Sequence, residues 1–293
     1  MKPAVYQPGV DPPSVTGLPP RPFLKWAGGK ARLIEQYQAH LPTAFATYHE
    51  PFLGGGALFF YLAPALAKAN KQAYLSDLNP DLVNVYRCVR DQVEGLIARL
   101  EAHRTAHGET HYYATRAQAD LPDLDRAARF IYLNKTCYNG LYRENSKGQF
   151  NVPMGRYKNP RICDPELLRA ASAALQIADI QVMPFDTVLD RATGPQDFVY
   201  FDPPYHPLSE TSRFTAYSRF NFKAEAQVRL RQVFAQLTQR GVQCLLSNSD
   251  CPFIRELYGD FAIHTITAAR SINSKAKKRG KITEVLVAAS TDC

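Results

Sequence analysis

An acid, two prolines and a tyrosine follow an apolar run in the second half of the chain, as Asp202, Pro203, Pro204 and Tyr205. The run, at 198–201, has no polar alternation, which predicts a strand buried on both faces of a parallel sheet. Ligands of such sheets bind beyond the carboxyl ends of the strands. Because the prolines stiffen the turn and lack a backbone N–H, the segment predicts a rigid set of hydrogen-bond acceptors beside an aromatic ring. The alternative is an Asp-Pro turn that does no chemistry.

A glycine turn lies between two further predicted strands, which end near His49 and at Asp77. Gly54 and Gly56 precede an apolar helical stretch. The order of strand, glycine turn, helix, strand and acid is that of a half-Rossmann fold, in which the acid binds ribose hydroxyls. Phe59 stands where a dinucleotide fingerprint has its third glycine. The pattern therefore predicts a nucleoside-bearing cofactor that is not recognised through the dinucleotide fingerprint.

Apolar periodicity places the remaining elements of the sheet. A buried strand is predicted over 242–247, and two closing strands over 261–268 and 282–290. A helical stripe over 226–237 predicts a helix whose buried face carries Ala226, Leu230, Val233, Phe234 and Leu237. Five of the seven residues at 275–281 are cationic. We interpret this run as a solvated hairpin loop, with DNA contact as the alternative.

The composition limits the class of protein. The chain has 293 residues, of which 45% are hydrophobic, as expected for one large α/β domain or two unequal ones. Its net charge of +8 favours an anionic partner such as nucleic acid. Six cysteines form no CxxC pair, so we expect reduced thiols. Residues 1–21 are rich in proline without an apolar run, which predicts an extended arm on a soluble, cytoplasmic protein that is not bound to a membrane.

The middle of the chain differs in character from the rest. Residues 129–161 contain seven cations, one acid and six aromatic residues. Cations, asparagines and aromatic rings interleaved with glycine turns suit phosphate contacts, base-edge hydrogen bonds and base stacking. The segment therefore predicts contact with nucleic acid, and an irregular basic subdomain is the alternative.

Three histidines are spaced four residues apart, at His103, His107 and His111. On one continuous helix they would share a face on which a metal ion can bind. Gly108 interrupts that helix, and neither a cysteine nor a carboxylate pair accompanies the histidines. We therefore interpret them as a polar helix face and expect no metal site.

The order of these features resembles that of the Dam-type (D12 class) DNA adenine-N6 methyltransferases over about residues 22–290. The motifs that carry the resemblance are FLKWAGGK (23–30), EPFLGGGALF (50–59), SDLN (76–79), LNKTCYNGLYRENSKGQFNVPMGRY (133–157), DPPY (202–205), FTAY (214–217), LLSNSD (245–250) and ARSINS (269–274). Several ordered motifs are more specific than any single one.

The resemblance implies an α/β fold with a Rossmann-like, S-adenosylmethionine-dependent methyltransferase sheet and an inserted, mainly helical target-recognition domain. The implied domains are an N-terminal arm at 1–21, a catalytic domain at 22–79 and 164–293, and a target-recognition, DNA-binding domain at 80–163. The implied partner is double-stranded DNA, and no obligate protein partner is evident.

The implied reaction is methyl transfer to N6 of an adenine that is flipped out of the duplex. The exocyclic amine is a poor nucleophile because its lone pair is delocalised into the ring. If Asp202 and the carbonyl of Pro203 each accept one N–H, the nitrogen can pyramidalise, and the carboxylate stabilises the positive charge that develops on it. Tyr205, which follows Pro204, is expected to stack on the adenine.

The resemblance also implies roles for individual residues. Those that bind the cofactor are Trp26, Lys30, Phe52, Gly54, Gly56, Asp77, Phe185, Asp186 and Asp202. Those that contact DNA are Lys25, Tyr138, Asn139, Leu141, Arg143, Asn145, Pro153 and Tyr157. In the family, the residues that match Lys25 and Arg143 read outer guanines, and those that match Leu141 and Pro153 meet a thymine methyl. Tyr138 and Asn139 match residues that occupy the space of the flipped base. This pattern predicts recognition of GATC.

Two other reactions use similar chemistry. An N4-cytosine DNA methyltransferase also acts on an exocyclic amine, and only the Dam-like insertion argues against it. An RNA or protein amide methyltransferase shares the cofactor half but usually carries NPPY, so Asp202 argues against that class. A nucleic-acid-binding protein without chemistry would not need Asp77, the glycine turn and DPPY together.

Overall fold

The computed structural model describes residues 18–26, 28–207, 222–269 and 281–289. Four predicted features lie wholly or largely outside these ranges: most of the N-terminal arm, the FTAY motif, all but the first residue of the ARSINS motif, and all but the last residue of the basic run at 275–281. Among the described helices, none is both long and apolar enough to cross a lipid bilayer.

Seven strands in the described part of the chain form one sheet. They are β1 Thr47–Glu50, β2 Gln72–Asp77, β3 Ala178–Val182, β4 Asp197–Phe201, β5 Gln243–Ser249, β6 Ala262–Ala269 and β7 Lys281–Ala288. Their order in the sheet is β3-β2-β1-β4-β5-β7-β6. The first five are parallel, and β7 runs antiparallel to both β5 and β6. This is the predicted α/β, Rossmann-like class, and the strands predicted from apolar runs are confirmed.

Helices of the described residues connect and cover the strands. They are α1 Ile34–Tyr37, α2 Ala57–Lys68, α3 Pro80–Asp91, α4 Val93–Thr105, α5 Glu109–Ala117, α6 Asp123–Thr136, α7 Pro165–Leu175, α8 Ala224–Gln239 and α9 Pro252–Leu257. Short 3-10 turns lie at Gln38–His40, Tyr138–Gly140 and Phe185–Asp190.

Strand β4 lies in the middle of the sheet and is buried along its whole length. Phe198 and Tyr200 pack into one apolar cluster, whereas Val199 and Phe201 pack into another. Because successive side chains of a strand point to opposite faces, both faces of the sheet are covered. This explains why the strand lacks polar alternation, and it leaves the carboxyl end as the place where a polar residue meets solvent.

The helical face predicted over 226–237 requires one correction. Its buried apolar residues are Leu230, Val233, Phe234 and Leu237. Gln227, and not Ala226, is the buried residue of the first turn of α8, with 0% of its surface exposed. The prediction from periodicity was wrong here because Gln227 makes two side-chain hydrogen bonds, which remove the cost of burying an amide.

A mainly helical insertion lies between β2 and β3. Its first helix, α3, is attached to the edge of the sheet, because Arg87 and Arg90 donate hydrogen bonds of 2.8 Å to the carbonyls of Ile180 and Ala178 on β3. The side chain of Asn84 donates to the carbonyl of Asp123, in the first turn of α6. Helix α3 thus joins the sheet to the rest of the insertion.

The three spaced histidines do not share one helix face as interpreted from the sequence, because His103 lies in α4, His111 lies in α5 and His107 lies between the two helices. The break predicted at Gly108 is present, since it lies between α4 and α5. His103 Nδ1 lies 2.9 Å from His111 Nε2, and His107 Nδ1 lies 3.0 Å from the hydroxyl of Tyr132. Burial lowers the pKa of His103 to about 4. The described residues contain no group of three or more His, Cys, Asp or Glu side chains arranged to hold a metal ion.

Candidate active site

The candidate site lies at the carboxyl ends of the parallel strands. Strand β1 pairs with β2 on one side and with β4 on the other, so the chain reverses its direction of travel across the sheet at β1. Such a switch point opens a crevice in which α/β sheets bind ligands. The segments that begin at Pro51, Leu78, Met183 and Asp202 leave the strands at this end. They contain most of the residues predicted to bind the cofactor and to catalyse the reaction.

Asp202 is the first residue after β4, and one of its carboxylate oxygens is occupied by two donors. Its Oδ1 lies 3.0 Å from the Nζ of Lys30 and accepts a hydrogen bond of 2.7 Å from the hydroxyl of Ser247 on β5. Lys30 is 3% exposed, whereas the carboxylate is 23% exposed. No donor among the described residues reaches Oδ2. The carboxylate is therefore held from its inner side and keeps an accessible acceptor.

Tyr205 lies between a cation and an acid. The Nζ of Lys30 lies 4.4 Å from the centre of the tyrosine ring. The tyrosine hydroxyl donates a hydrogen bond of 2.7 Å to Oε2 of Glu284 on β7. Burial raises the pKa of Tyr205 well above its usual range, so the hydroxyl stays protonated and remains a donor. The ring and the hydroxyl of Tyr205 are therefore each held by a contact.

The turn between Asp202 and Tyr205 is braced by two buried amides. Gln227 Nε2 donates to the carbonyl of Pro204 at 3.0 Å, and Asn248 Nδ2 donates to Gln227 Oε1 at 3.0 Å. Asn248 Oδ1 accepts the backbone N–H of His206 at 3.2 Å. The carbonyl of Pro203 has no hydrogen-bond donor among the described residues. The amides therefore hold the turn at Pro204 and His206 and leave the acceptor at Pro203 available.

The glycine turn after β1 contacts the acid at the end of β2. Gly54 and Gly56 adopt positive φ angles of 47° and 64°, which disfavour residues with a side chain. The N–H of Gly54 donates to Asp77 Oδ2 at 3.1 Å, and that of Asn79 donates to Asp77 Oδ1 at 3.0 Å. Burial raises the pKa of Asp77. A Cβ at Gly54 would lie 2.9 Å from Nε1 of Trp26, so the indole covers this turn at close contact.

Three aromatic rings pack together near this end of the sheet, one after β1, one after β3 and one just before α8. Phe52 and Phe185 stack with their centres 5.3 Å apart, and the ring of Phe222 packs edge-on against Phe52. Asp186, the residue after Phe185, is paired with Arg229 through Oδ2. Its Oδ1 is buried and has no hydrogen-bond partner among the described residues. An orphaned acceptor beside aromatic rings is suited to a planar ligand with an amino group.

The residues predicted to contact DNA lie in and around the segment that follows α6. Lys25 lies against this segment: its Nζ donates to the carbonyl of Lys135 at 3.0 Å and lies 4.0 Å from the ring centre of Tyr157. Tyr138 is 52% exposed, and Asn139, also exposed, has a φ of 54°. About half of the tyrosine is therefore accessible to a ligand.

A hairpin within this segment carries the next predicted contacts. Arg143 donates from Nε to Asn151 Oδ1 at 2.6 Å and from Nη2 to the Asn151 carbonyl at 3.2 Å, which orients its guanidinium across the hairpin. The amide of Asn145 is used within the turn, where its Nδ2 donates to Gln149 Oε1 and its Oδ1 accepts the N–H groups of Lys147 and Gln149. In this structure Asn145 closes the hairpin.

Leu141 and Pro153 lie on the two arms that lead into this hairpin. Neither side chain is fully buried, and Pro153 is exposed. The carbonyl of Pro153 accepts the backbone N–H of Tyr138 at 2.9 Å. The predicted DNA contacts from 138 to 153 therefore belong to one hydrogen-bonded unit.

Four residues of the site were not identified from the sequence: Ser247, Glu284, Gln227 and Asn248. Ser247 and Asn248 lie in LLSNSD, which had been assigned no chemical role. Glu284 is the lone acid in the apolar strand β7, and Gln227 is a polar residue on a buried helical face. A lone acid in a mainly apolar strand is the signal that would have found Glu284, whereas α8 carries several other polar residues and its sequence does not single out Gln227.

Comparison with known proteins gives the family. A family model described as D12 class N6 adenine-specific DNA methyltransferase matches residues 26–272. The chain belongs to this class. It is therefore an enzyme that methylates adenine in DNA, and the adenine specificity of the class argues against the N4-cytosine and amide alternatives.

Relatives of this D12-class chain carry matching names. The Type II methyltransferase M1.LlaDCHI of Lactococcus lactis subsp. cremoris is 46% identical, over 91% of this chain and 94% of its own. The Type II methyltransferase M.MjaIII of Methanocaldococcus jannaschii is 42% identical, over 88% and 95%. The DNA adenine methylase of Escherichia coli strain K12 is 36% identical, over 91% and 94%.

Two solved rRNA methyltransferase structures are more distant from this D12-class chain. The aviRa enzyme of Streptomyces viridochromogenes is 15% identical over 94% of this chain and 88% of its own, and an rRNA methylase of Streptococcus thermophilus is 8% identical over 88% and 94%. Both have a TM-score of 0.35, which is too low to carry an argument.

Proposed function

We propose that this enzyme transfers a methyl group from S-adenosylmethionine to N6 of an adenine flipped out of double-stranded DNA, within the sequence GATC. The proposal rests on two hydrogen-bond acceptors, one at Asp202 and one at Pro203, that are available to a ligand. Lys30 and Ser247 occupy only Oδ1 of the carboxylate, and neither Oδ2 nor the carbonyl of Pro203 has a donor among the described residues. An exocyclic amine has two N–H groups to satisfy these two acceptors.

The chemistry of the turn follows from these acceptors. Hydrogen bonds from the amine to Asp202 and Pro203 favour a pyramidal nitrogen whose lone pair is available for attack. The positive charge that develops on the nitrogen is stabilised by the carboxylate. The Nζ of the buried Lys30 lies 3.0 Å from Oδ1 and holds the carboxylate in place at the end of β4. The ring of Tyr205 is held for stacking, and Pro204 keeps the turn rigid.

The residues present fit S-adenosylmethionine. Its sulfonium supplies an electrophilic methyl group. The orphaned Oδ1 of Asp186 suits an adenine amine, and the adjacent ring of Phe185 suits the face of a purine. Asp77 keeps unused lone pairs for ribose hydroxyls after accepting two N–H groups. The remaining proposed ligands of the cofactor are Trp26, Lys30, Phe52, Gly54, Gly56 and Asp202.

The recognition proposal rests on residues 133–157 and on Lys25. Arg143 is proposed to read one outer guanine with its guanidinium and Lys25 the other with its ammonium. Leu141 and Pro153 are proposed to meet a thymine methyl, and Tyr138 and Asn139 to occupy the space that the adenine leaves. Asn145 and Tyr157 are proposed to support the DNA-facing surface.

Domain boundaries complete the proposal. We assign residues 22–79 and 164–293 to the catalytic domain and 80–163 to target recognition, with α3 in contact with both. The cytoplasmic location expected from the sequence remains a prediction.

Methylation of short duplexes with labelled cofactor, followed by nucleoside analysis, tests the reaction and the base together. The duplexes carry GATC or one of its single-base variants. We expect label in N6-methyladenine and on GATC alone. Asp202→Ala should retain less than about 1% of the activity while still binding DNA, because the carboxylate serves the amine and not the duplex. Labelled cytosine, or efficient methylation of the variants, would contradict the proposal.

The same duplexes test the reading of bases. Arg143→Ala should cost about 1 to 3 kcal/mol on GATC and relax discrimination at one outer base pair. Arg161→Ala, which removes an exposed arginine just after this segment, is the control and should weaken binding to all sequences alike. An equal loss on every sequence with Arg143→Ala would make Arg143 a backbone contact.

A further inference from the structure

Asn134 on α6 holds the main chain of Lys25 from both sides. The Oδ1 of Asn134 accepts the N–H of Lys25 at 2.8 Å, and its Nδ2 donates to the carbonyl of Lys25 at 2.7 Å. Asn134 is 3% exposed, so these two bonds satisfy an amide that is otherwise removed from water. The two residues are 109 positions apart in the sequence, and the contact joins the N-terminal segment to the recognition insertion.

The rest of Lys25 is also enclosed by the insertion. A Cβ at Gly140 would lie 2.7 Å from the Cβ of Lys25, so the stem of the lysine packs directly on the glycine. The ammonium donates to the carbonyl of Lys135 and lies over the ring of Tyr157. A lysine has three N–H donors, so a donor remains for a base edge after these contacts. A flexible side chain is thereby limited to a narrow range of positions.

Arg143 is oriented by a different asparagine. Its guanidinium is oriented by Asn151 across the hairpin, and neither of those two bonds involves Asn134. The two proposed base-reading cations are thus fixed by two different asparagines. A change in one asparagine should affect one outer base pair and spare the other.

We propose that Asn134 is a positioning residue for base recognition: by clamping the main chain of Lys25, it sets the discrimination at the base pair that Lys25 reads. This inference rests on the proposed recognition of DNA by Lys25. A lysine carries considerable rotamer entropy, so its ammonium discriminates between bases only when its Cα is fixed. Asn134 itself touches no base.

The test compares kcat/KM on GATC and on duplexes altered at each outer base pair. Lys25→Ala first shows which outer pair Lys25 reads. Asn134→Ala should then lower the discrimination at that same pair by about ten-fold or more, the size of one good base contact, while discrimination at the pair assigned by Arg143→Ala changes less than about two-fold. Asn134→Asp, which keeps the acceptor for the Lys25 N–H, should be intermediate. It also serves as the test if the alanine variant does not fold.

Asn84→Ala is the matched control. Asn84 is a similarly buried asparagine that donates to a main-chain carbonyl between helices, that of Asp123, away from Lys25. We expect it to lower thermal stability about as much as Asn134→Ala without changing discrimination at either pair.

The sole tryptophan gives a second readout. Trp26 follows Lys25, and its ring lies 5.8 Å from that of Tyr142 and 6.3 Å from that of Phe130. Its fluorescence should change in Asn134→Ala and not in Asn84→Ala.

The outcomes separate the two proposals. If Lys25→Ala leaves discrimination unchanged at both pairs, the proposed recognition by Lys25 fails. If Lys25→Ala relaxes one pair but Asn134→Ala behaves as Asn84→Ala does, Asn134 is only a structural residue and the inference is overturned.

Discussion

The hydroxyl of Tyr205 and Oε2 of Glu284 lie 2.7 Å apart and join the turn after β4 to the antiparallel strand β7. Glu284 also lies 4.0 Å from the Nζ of Lys30, which in turn contacts Asp202. The resemblance had assigned Tyr205 a stacking role that needs only its ring. The structure adds a role for the hydroxyl, because its bond to Glu284 limits rotation of the ring.

A double-mutant cycle measures this contact. Tyr205→Phe and Glu284→Ala should each lower kcat/KM, and their effects should be non-additive by about 1 kcal/mol, since either change removes the same hydrogen bond. Tyr258→Phe is the control, because the buried hydroxyl of Tyr258 has no partner among the described residues. Strictly additive losses would mean that the contact does not orient the ring.

Gln227 is expected to act through the turn that it braces. Gln227→Met removes two buried hydrogen bonds at similar volume, so it should lower kcat while leaving cofactor affinity within about two-fold, with about 1 to 3 kcal/mol lost in stability. Gln243→Met is the control, because the half-buried Gln243 likewise makes two side-chain hydrogen bonds, donating to the carbonyls of Ala44 and Pro195 at the opposite end of the sheet. Steady-state kinetics and calorimetry separate the two effects. A kcat as little changed as that of the control would remove Gln227 from the site.

Asp186 is expected to bind the cofactor through its orphaned oxygen. Asp186→Ala should weaken binding of S-adenosylmethionine about ten-fold, measured by calorimetry without DNA, because a hydrogen bond to a buried charged acceptor is lost. Arg229→Ala keeps Oδ1 of Asp186 and removes only the ion pair at Oδ2, so its effect should be smaller. Equal losses in the two variants would assign the effect to the ion pair.

Glu50 is expected to make stability depend on pH. Burial raises the pKa of this carboxyl to about 8, and it accepts the hydroxyl of Tyr48 at 2.9 Å. In an unfolded chain a glutamate titrates near about 4.3. Between these two pH values, the carboxyl of Glu50 is therefore protonated in the folded state and ionised in the unfolded state. Its contribution to the free energy of unfolding is complete below the lower pKa and is lost as the pH rises through the upper one.

Urea unfolding at pH 5, 7 and 9 checks this expectation. Glu50→Gln should lose less stability than the wild type between pH 5 and pH 9, by at least about 1.4 kcal/mol, which corresponds to one unit of pKa difference. Glu256→Gln, an exposed glutamate, should leave the pH dependence unchanged. Parallel pH profiles for Glu50→Gln and the wild type would show that Glu50 titrates normally.

Local patterns in the sequence were enough for the α/β class and for much of the site. Apolar runs predicted the strands because residues 198–201 of β4 and 244–246 of β5 are buried and carry apolar side chains, which need no hydrogen-bond partner in a core. Position at the end of a strand was the signal for the glycine turn, Asp77 and Asp202, because ligands of α/β sheets bind in a crevice beyond the carboxyl ends of the strands. The ordered motifs then indicated the family.

Tertiary structure alone decided which distant side chains complete the site. Nothing local to Glu284, Gln227 or Asn134 shows that they meet Tyr205, Pro204 and Lys25, since those contacts span 79, 23 and 109 positions. Periodicity predicted that Ala226 is buried in the first turn of α8, whereas Gln227 is buried there. A helical pattern is based on hydropathy alone and carries no information on hydrogen bonds. A buried polar residue destabilises the core unless it has a hydrogen-bond partner, and only the packing of the whole chain determines which partner it meets.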